Sequence, residues 1–88
     1  MDQKERVEKE FIAMLNREAP ILEIWGANGD LEIYHLNYYK EEDLLQAGEV
    51  DVGGFYPYED LFIEYDYTLT LDDNLQLLTE LIERKINE

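Results

Sequence analysis

Residues 21–39 read ILEIWGANGDLEIYHLNYY, and this stretch decides the fold. The runs 21–25 and 31–39 are rich in β-branched and aromatic residues, which favour strands. Between them lies Asn28-Gly29, and an Asn-Gly pair between two such runs is the strongest short-range signal for a hairpin. The stretch therefore predicts two antiparallel strands joined by a tight turn.

An amphipathic helix is predicted at each end of the chain. Residues 2–18 carry apolar side chains at helical spacing, and Ala19-Pro20 ends this helix because the residue before a proline disfavours the α region. The second helix begins near Thr70 or Asp72, since acids in a first turn suit the helix dipole. The predicted apolar stripes are Val7, Phe11, Met14 and Leu15 with Ile12 beside them, and Leu75, Leu78, Ile82 and Ile86 widened by Leu77 and Leu81.

The segment between the hairpin and the last helix is predicted to add one or two strands. Residues 40–48 are typical of a helical turn that Gly48 ends, and residues 49–52 of a short strand. Residues 53–57, with two glycines and a proline, indicate a turn, and residues 60–71 alternate as a strand. The alternation places Ile63, Tyr65, Tyr67 and Leu69 on the core side and Glu64, Asp66, Thr68 and Thr70 on the other.

Together these elements predict one α+β domain over residues 1–88: a helix, an antiparallel sheet of three or four strands, and a helix. The apolar fraction of 45% is that of a globular chain. The most economical packing lays both helices on one face of the sheet, which leaves the other face open. We expect the acid-bearing residues to point from that open face, and the short chain to leave little room for a buried cleft.

Negative charge dominates the middle of the chain. The sequence has 22 acidic and 7 basic residues, for a net charge of −15. Residues 19–83 hold sixteen of the acids and one base, Lys40, so this segment carries the whole imbalance. Affinity for phosphate comes from Lys and Arg, and the charge therefore excludes direct binding to nucleic acid and to anionic membranes. It favours a basic protein as the partner.

The stretch 53–74 is the predicted contact surface for that partner. It contains six carboxylates and neither Lys nor Arg. Glu64 and Asp66, two residues apart on a strand, would lie about 7 Å apart, close to the spacing of phosphates along a nucleic-acid strand. Aromatic rings are common interface anchors, whereas Tyr65 and Tyr67 are predicted to pack in the sheet core. The predicted partner-binding residues are Glu59, Asp60, Glu64, Asp66, Glu41, Glu42 and Asp43 as carboxylates, and Tyr56 and Tyr58 as anchors.

No residue pattern indicates an enzyme, a metal site or a cofactor. The chain lacks Ser and Cys, so its single histidine, His35, has neither nucleophile as a partner. Residues 41–43 and 72–74 are acidic but do not follow the spacing of a calcium-binding loop. We therefore expect no catalytic residue, no bound metal and no cofactor. The lack of cysteine, of an apolar N-terminal signal and of a membrane-length apolar run favours the cytoplasm, that of the host cell if a phage encodes the protein.

The charge pattern predicts a non-catalytic inhibitor that occupies the basic groove of a nucleic-acid-handling protein as a mimic of nucleic acid. In size and charge the chain resembles small acidic phage inhibitors of nucleic-acid enzymes, namely anti-CRISPR proteins, anti-restriction proteins and uracil-DNA glycosylase inhibitors. The resemblance covers composition and no motif, so it implies a phage counter-defence role and assigns no residue. One alternative is an immunity protein or antitoxin that neutralises a basic nuclease toxin. Another is a structural or adaptor module of a larger assembly that binds through an apolar sheet edge. An exposed sheet face or edge strand could also be buried in a homodimer.

Overall fold

Two helices flank a four-stranded antiparallel sheet in chain order. The computed structural model describes residues 2–15 and 20–87. The strand order in the sheet is the order along the chain, and every neighbouring pair is antiparallel. The predicted α+β fold is confirmed. The elements are α1 (Gln3–Leu15), β1 (Ile21–Trp25), β2 (Leu31–Tyr39), β3 (Leu44–Asp51), β4 (Gly54–Glu64) and α2 (Leu71–Ile86).

The hairpin of β1 and β2 forms as predicted. The strands pair from Ile21 opposite His35 to Trp25 opposite Leu31. Gly29 adopts a φ of 88°, a conformation that glycine reaches at little cost, and its N–H donates to the carbonyl of Gly26. The predicted end of the first helix at residues 16–19 lies outside the described residues, as do the side chains of Met14 and Leu15.

Residues 40–48 were predicted as a helical turn, and this prediction is wrong. Residues 40–43 form a turn, and β3 begins at Leu44. Both neighbours of β3 supply ladder hydrogen bonds along 44–48, whereas an isolated helical turn has an unfavourable nucleus. Gly48 does not end a helix. It lies inside β3, where a Cβ atom would collide with the carbonyl oxygen of Tyr56 and lie 2.9 Å from Cα of Pro57.

The strand β4 begins earlier and ends earlier than the sequence predicts. Pro57 lies inside it, opposite Gly48, and not in a turn. A proline is tolerated there because β4 is an edge strand and has no partner on its outer side. The strand ends at Glu64, and residues 65–70 connect it to α2, with one further backbone bond from the N–H of Tyr65 to the carbonyl of Asp43 at 2.7 Å.

A wide bulge divides β4. Gly48 pairs with Pro57 and Gln46 with Phe62, so residues 58–61 lie opposite Ala47 alone. The buried side chain of Gln46 fills the gap, since its Nε2 donates to the carbonyl oxygens of Tyr58 (2.7 Å) and Leu61 (3.2 Å). It also donates to the carbonyl of Ala47 at 3.1 Å. One glutamine amide therefore satisfies carbonyls that the bulge removes from the ladder.

Both helices pack on one face of the sheet, as predicted. Leu78 and Ile82 of α2 are fully buried. The helix starts at the predicted place, because the Thr70 hydroxyl accepts a hydrogen bond from the N–H of Asp73. Leu77, predicted to widen the stripe, is exposed. The core comprises Val7, Phe11, Ile24, Tyr34, Leu36, Tyr38, Leu45, Ala47, Tyr65, Leu71, Leu78 and Ile82, with Tyr67 partly buried against it.

Candidate partner-binding surfaces

The predicted partner-binding residues fall into two groups and do not form one row. Leu44 pairs with Glu64, so the turn at 40–43 and the end of β4 share one end of the sheet. This end carries Glu41, Glu42, Asp43, Glu64 and Asp66. The bulged half of β4 carries the other group: Tyr56, Tyr58, Glu59 and Asp60.

The Asp43 carboxylate is held by partners inside the fold. It accepts a hydrogen bond from the Tyr67 hydroxyl (2.7 Å) and pairs with Nζ of Lys4 (3.1 Å). The Tyr67 proton points at the carboxylate, so the Tyr38 hydroxyl donates to the Tyr67 oxygen at 2.7 Å. The Tyr67 hydrogen bond, followed by that of Lys4, lowers the pKa of Asp43. Asp43 thereby links α1, the 40–43 turn and the segment after β4.

Asp66 is also engaged locally. The prediction that Glu64 and Asp66 lie on one strand is wrong, because β4 ends at Glu64. The Asp66 carboxylate accepts hydrogen bonds from the hydroxyl and the N–H (2.9 Å) of Thr68, and these bonds lower its pKa. Its backbone is fixed by Asn74, which is fully buried and bonds both the N–H and the carbonyl of Asp66. No pattern in the sequence predicts that this asparagine is buried.

A groove of about 690 Å³ brings three residues of the second group, Tyr58, Glu59 and Asp60, together with residues of β2 and α2, whereas Tyr56 does not line it. It lies where the bulge of β4 passes the C-terminal end of α2. Three of its side chains are carboxylates and two are tyrosines. The lining residues are Glu32, Ile33, Tyr34, Pro57, Tyr58, Glu59, Asp60, Leu61 and Lys85.

The two tyrosines form the aromatic wall of the groove. The rings of Tyr34 and Tyr58 meet edge to face, with centroids 5.9 Å apart. The Tyr58 hydroxyl donates to Oε2 of Glu49 at 3.1 Å. Burial, and then the neighbouring Glu49, raises the pKa of Tyr58, and burial with Glu32 raises that of Tyr34. Both hydroxyls therefore remain neutral at physiological pH. Carboxylates beside neutral rings suit an arginine or lysine side chain, through charge and through cation–π contact.

Sequence reasoning missed the groove's own base, Lys85. It comes from the last turn of α2 and lines the groove beside Glu59 and Asp60. Within residues 2–15 and 20–87 the structure has two ion pairs, Lys4 with Asp43 and Lys40 with Glu8. The groove carboxylates take part in neither pair, and they remain available to cations of a partner.

The open face of the sheet is largely apolar, so the expectation of an acidic face is wrong. His35 lies between the buried residues Tyr34 and Leu36 and therefore points to the open face. Gly48 pairs with His35 and lies on the same face, as does Val50 two residues later in β3. The acids on this face within the strands are Glu23 and Glu64, because Glu59 and Asp60 lie in the bulge. Apolar side chains occupy both faces of β1 and β2, since Ile24 and Leu36 are buried in the core while Trp25 and Ile33 are exposed on the open face. We define the open-face apolar patch as Trp25, Leu31, Ile33, Val50 and Phe55.

Comparison with known proteins assigns this chain to no family. A scan against family models found no match, and searches of curated proteins and of solved structures found no similar protein. In the part of the chain that the structure describes, no three His, Asp or Glu side chains gather in a way that would hold a metal ion. No helix in that part is both long enough and apolar enough to cross a membrane.

Proposed function

We propose that this chain is a non-catalytic binding protein that docks on the basic surface of a nucleic-acid-handling protein. Docking there would prevent DNA or RNA from binding to the same basic surface of the partner. The observation that carries the proposal is the groove beside α2, where Glu59 and Asp60 are exposed next to the Tyr34 and Tyr58 rings. The net charge of −15 supports it, because a field of that size steers cationic partners.

The groove suits side chains that normally bind phosphate. An arginine of a nucleic-acid site presents a planar cation that binds carboxylates and stacks on aromatic rings. Carboxylates and rings are both present at the bulge, and the buried amide of Gln46 holds the backbone that carries them. The exposed acids at the 40–43 turn, Glu41 and Glu42, with Glu64 nearby, extend the charge to the other end of the sheet.

An immunity protein or antitoxin that neutralises a basic nuclease would use the same contacts, in a different biological setting. The adaptor hypothesis has a separate observation in its favour, the open-face apolar patch. An adaptor that binds through this patch would associate with little dependence on salt, whereas contacts through exposed charges weaken as salt screens them. Salt dependence therefore separates the two classes of function.

Capture from a cell lysate at low salt tests the proposal. The bound material is eluted with rising salt, or with added DNA or RNA. We expect a basic nucleic-acid-binding protein that both treatments release. The double variant Glu59→Gln/Asp60→Asn should weaken its binding about five- to thirtyfold, from roughly 0.5–1 kcal/mol for each exposed charge pair.

The matched control is Glu80→Gln/Glu83→Gln, which removes two exposed charges from α2 away from the groove lining. Both double variants remove two negative charges, but the control leaves the groove lining intact. The control should therefore weaken binding much less than the groove variant. Binding that ignores both salt and nucleic acid would refute the proposal. Equal losses in the two variants would refute the groove as the contact.

A further inference from the structure

The open-face apolar patch is too exposed to be explained by packing within this chain. Trp25 is 65% exposed, Ile33 52%, Val50 47% and Leu31 40%. Register places Trp25 beside Leu31 and Val50 beside Phe55, so the patch spans all four strands at one end of the sheet. Soluble monomers rarely expose a contiguous apolar patch of more than a few hundred Å² unless it binds something.

Charge around the patch decides what can cover it. Glu23 lies on the same face opposite Ile33, Asp30 precedes Leu31, and Asp51 follows Val50, and all three acids are exposed. The single base in residues 20–51 is Lys40, which pairs with Glu8 at the other end of β2. A second copy of the chain would bring these carboxylates, and two net charges of −15, against each other. A cationic partner would neutralise them.

We propose that the patch seats apolar side chains of the same basic partner, with Trp25, its most exposed side chain, as an anchor. This inference rests on the proposed function and gives it a second contact. Interfaces commonly have an apolar centre, rich in Trp, and a polar rim. Here the rim is acidic, so the complementary surface is amphipathic, with an apolar ridge flanked by Lys or Arg. Ile33 also lines the groove, so patch and groove are continuous across β2.

Two synthetic peptides without tryptophan test the inference. Each has about 18 residues and the same number of lysines. The first places leucines at helical spacing and forms an apolar ridge, and the second carries serine in their place. Trp25 is the only tryptophan, so its emission reports directly on the patch. We expect the amphipathic peptide to shift the emission to the blue and to stay bound at high salt. The serine peptide should bind only at low salt, without that shift.

Two variants assign the effect to the patch. Leu31→Gln should weaken binding of the amphipathic peptide about tenfold or more at high salt and leave binding of the serine peptide unchanged at low salt, because Leu31 belongs to the patch and does not line the groove. The control, Leu69→Gln, changes an exposed leucine in the segment after β4 and should alter neither affinity. Far-UV circular dichroism checks that both variants fold.

The outcomes separate the inference from the function on which it rests. If the serine peptide binds at low salt but the leucines add nothing, or Leu31→Gln has no effect, the patch is not the contact and the proposed function stands. If neither peptide binds at low salt, electrostatic capture itself fails. If the emission shifts and the mass doubles with salt in the absence of peptide, a second copy covers the patch and the inference is overturned.

Discussion

Replacing Gln46 by Met should destabilise the fold and loosen the groove. Gln46 is buried, and its Nε2 reaches three backbone carbonyl oxygens, those of Ala47, Tyr58 and Leu61. Methionine has nearly the same length and volume and donates no hydrogen bond. The substitution therefore removes the hydrogen bonds across the bulge while leaving the packing close to its original state.

The cost follows from the bonds that are lost. The two N–H groups of the amide share three acceptors, and a typical intramolecular hydrogen bond contributes about 0.5–1.5 kcal/mol net. The carbonyls of Tyr58 and Leu61 are partly buried, so leaving them without a donor adds a desolvation penalty. We expect a loss of about 2–4 kcal/mol in the free energy of unfolding, a large share of the roughly 5–15 kcal/mol that a domain has.

Urea denaturation followed by far-UV circular dichroism measures this loss, with Gln76→Met as the matched control. Gln76 is exposed on α2 and makes one long contact, 3.4 Å to Glu80. Its replacement should change stability by less than about 0.5 kcal/mol. Amide hydrogen exchange should also rise at residues 58–61 in the Gln46 variant alone. A Gln46→Met protein as stable as the control would refute the assignment of the bulge to this amide.

Three further predictions concern packing, pH and the groove. Gly48→Ala should cost about 1–3 kcal/mol in urea denaturation, because its Cβ would meet the backbone of β4, whereas Gly53→Ala should cost less because its Cβ meets the movable end of a tyrosine. The fold lowers the pKa of Asp43 below its ordinary value of 3.8. The ionised Asp43 carboxylate therefore stabilises the fold above pH 3.8, and this stabilisation is lost as pH falls through the lower pKa of the folded protein. In urea denaturation, the difference in free energy of unfolding between wild type and Asp43→Asn should shrink on acidification. Lys85→Gln removes the groove's own cation and should tighten binding of the serine peptide at low salt about two- to fivefold, and unchanged or weaker binding would contradict this.

The elements that the sequence predicted well are those with local signals. Asn28-Gly29 specifies a turn that needs no distant contact, and Thr70 with Asp72 and Asp73 specifies the start of α2. The residues 40–48 lack such a signal, because their apolar side chains fit a helical turn and a strand equally well. Pairing with β2 and β4 decides between them, and that pairing depends on residues far along the chain.

The sequence predicted that the candidate site is acidic, but it could not predict how its residues are arranged. Counting acids identified Glu59 and Asp60, which are exposed, but gave the same weight to Asp43 and Asp66, whose carboxylates are bound within the fold. Lys85 enters the groove through the docking of α2, which no local pattern specifies. The bulge adds three residues to β4 and so reverses its alternation, because Pro57 and Phe62, five residues apart, lie on the same face. Simple alternation along β4 could therefore not place Glu59 and Asp60.

The acid surplus and the apolar patch are best understood together. An exposed tryptophan on an open sheet face is a hazard for a small domain, because two such faces can associate. Like charges on every copy oppose that association, and their repulsion reaches about 8 Å at physiological ionic strength. A cationic partner of the proposed kind would neutralise these charges as it covers the patch. Under the proposed function, the carboxylates that would attract the partner would also oppose self-association of the free protein, and this double use would account for a net charge of −15 in so small a domain.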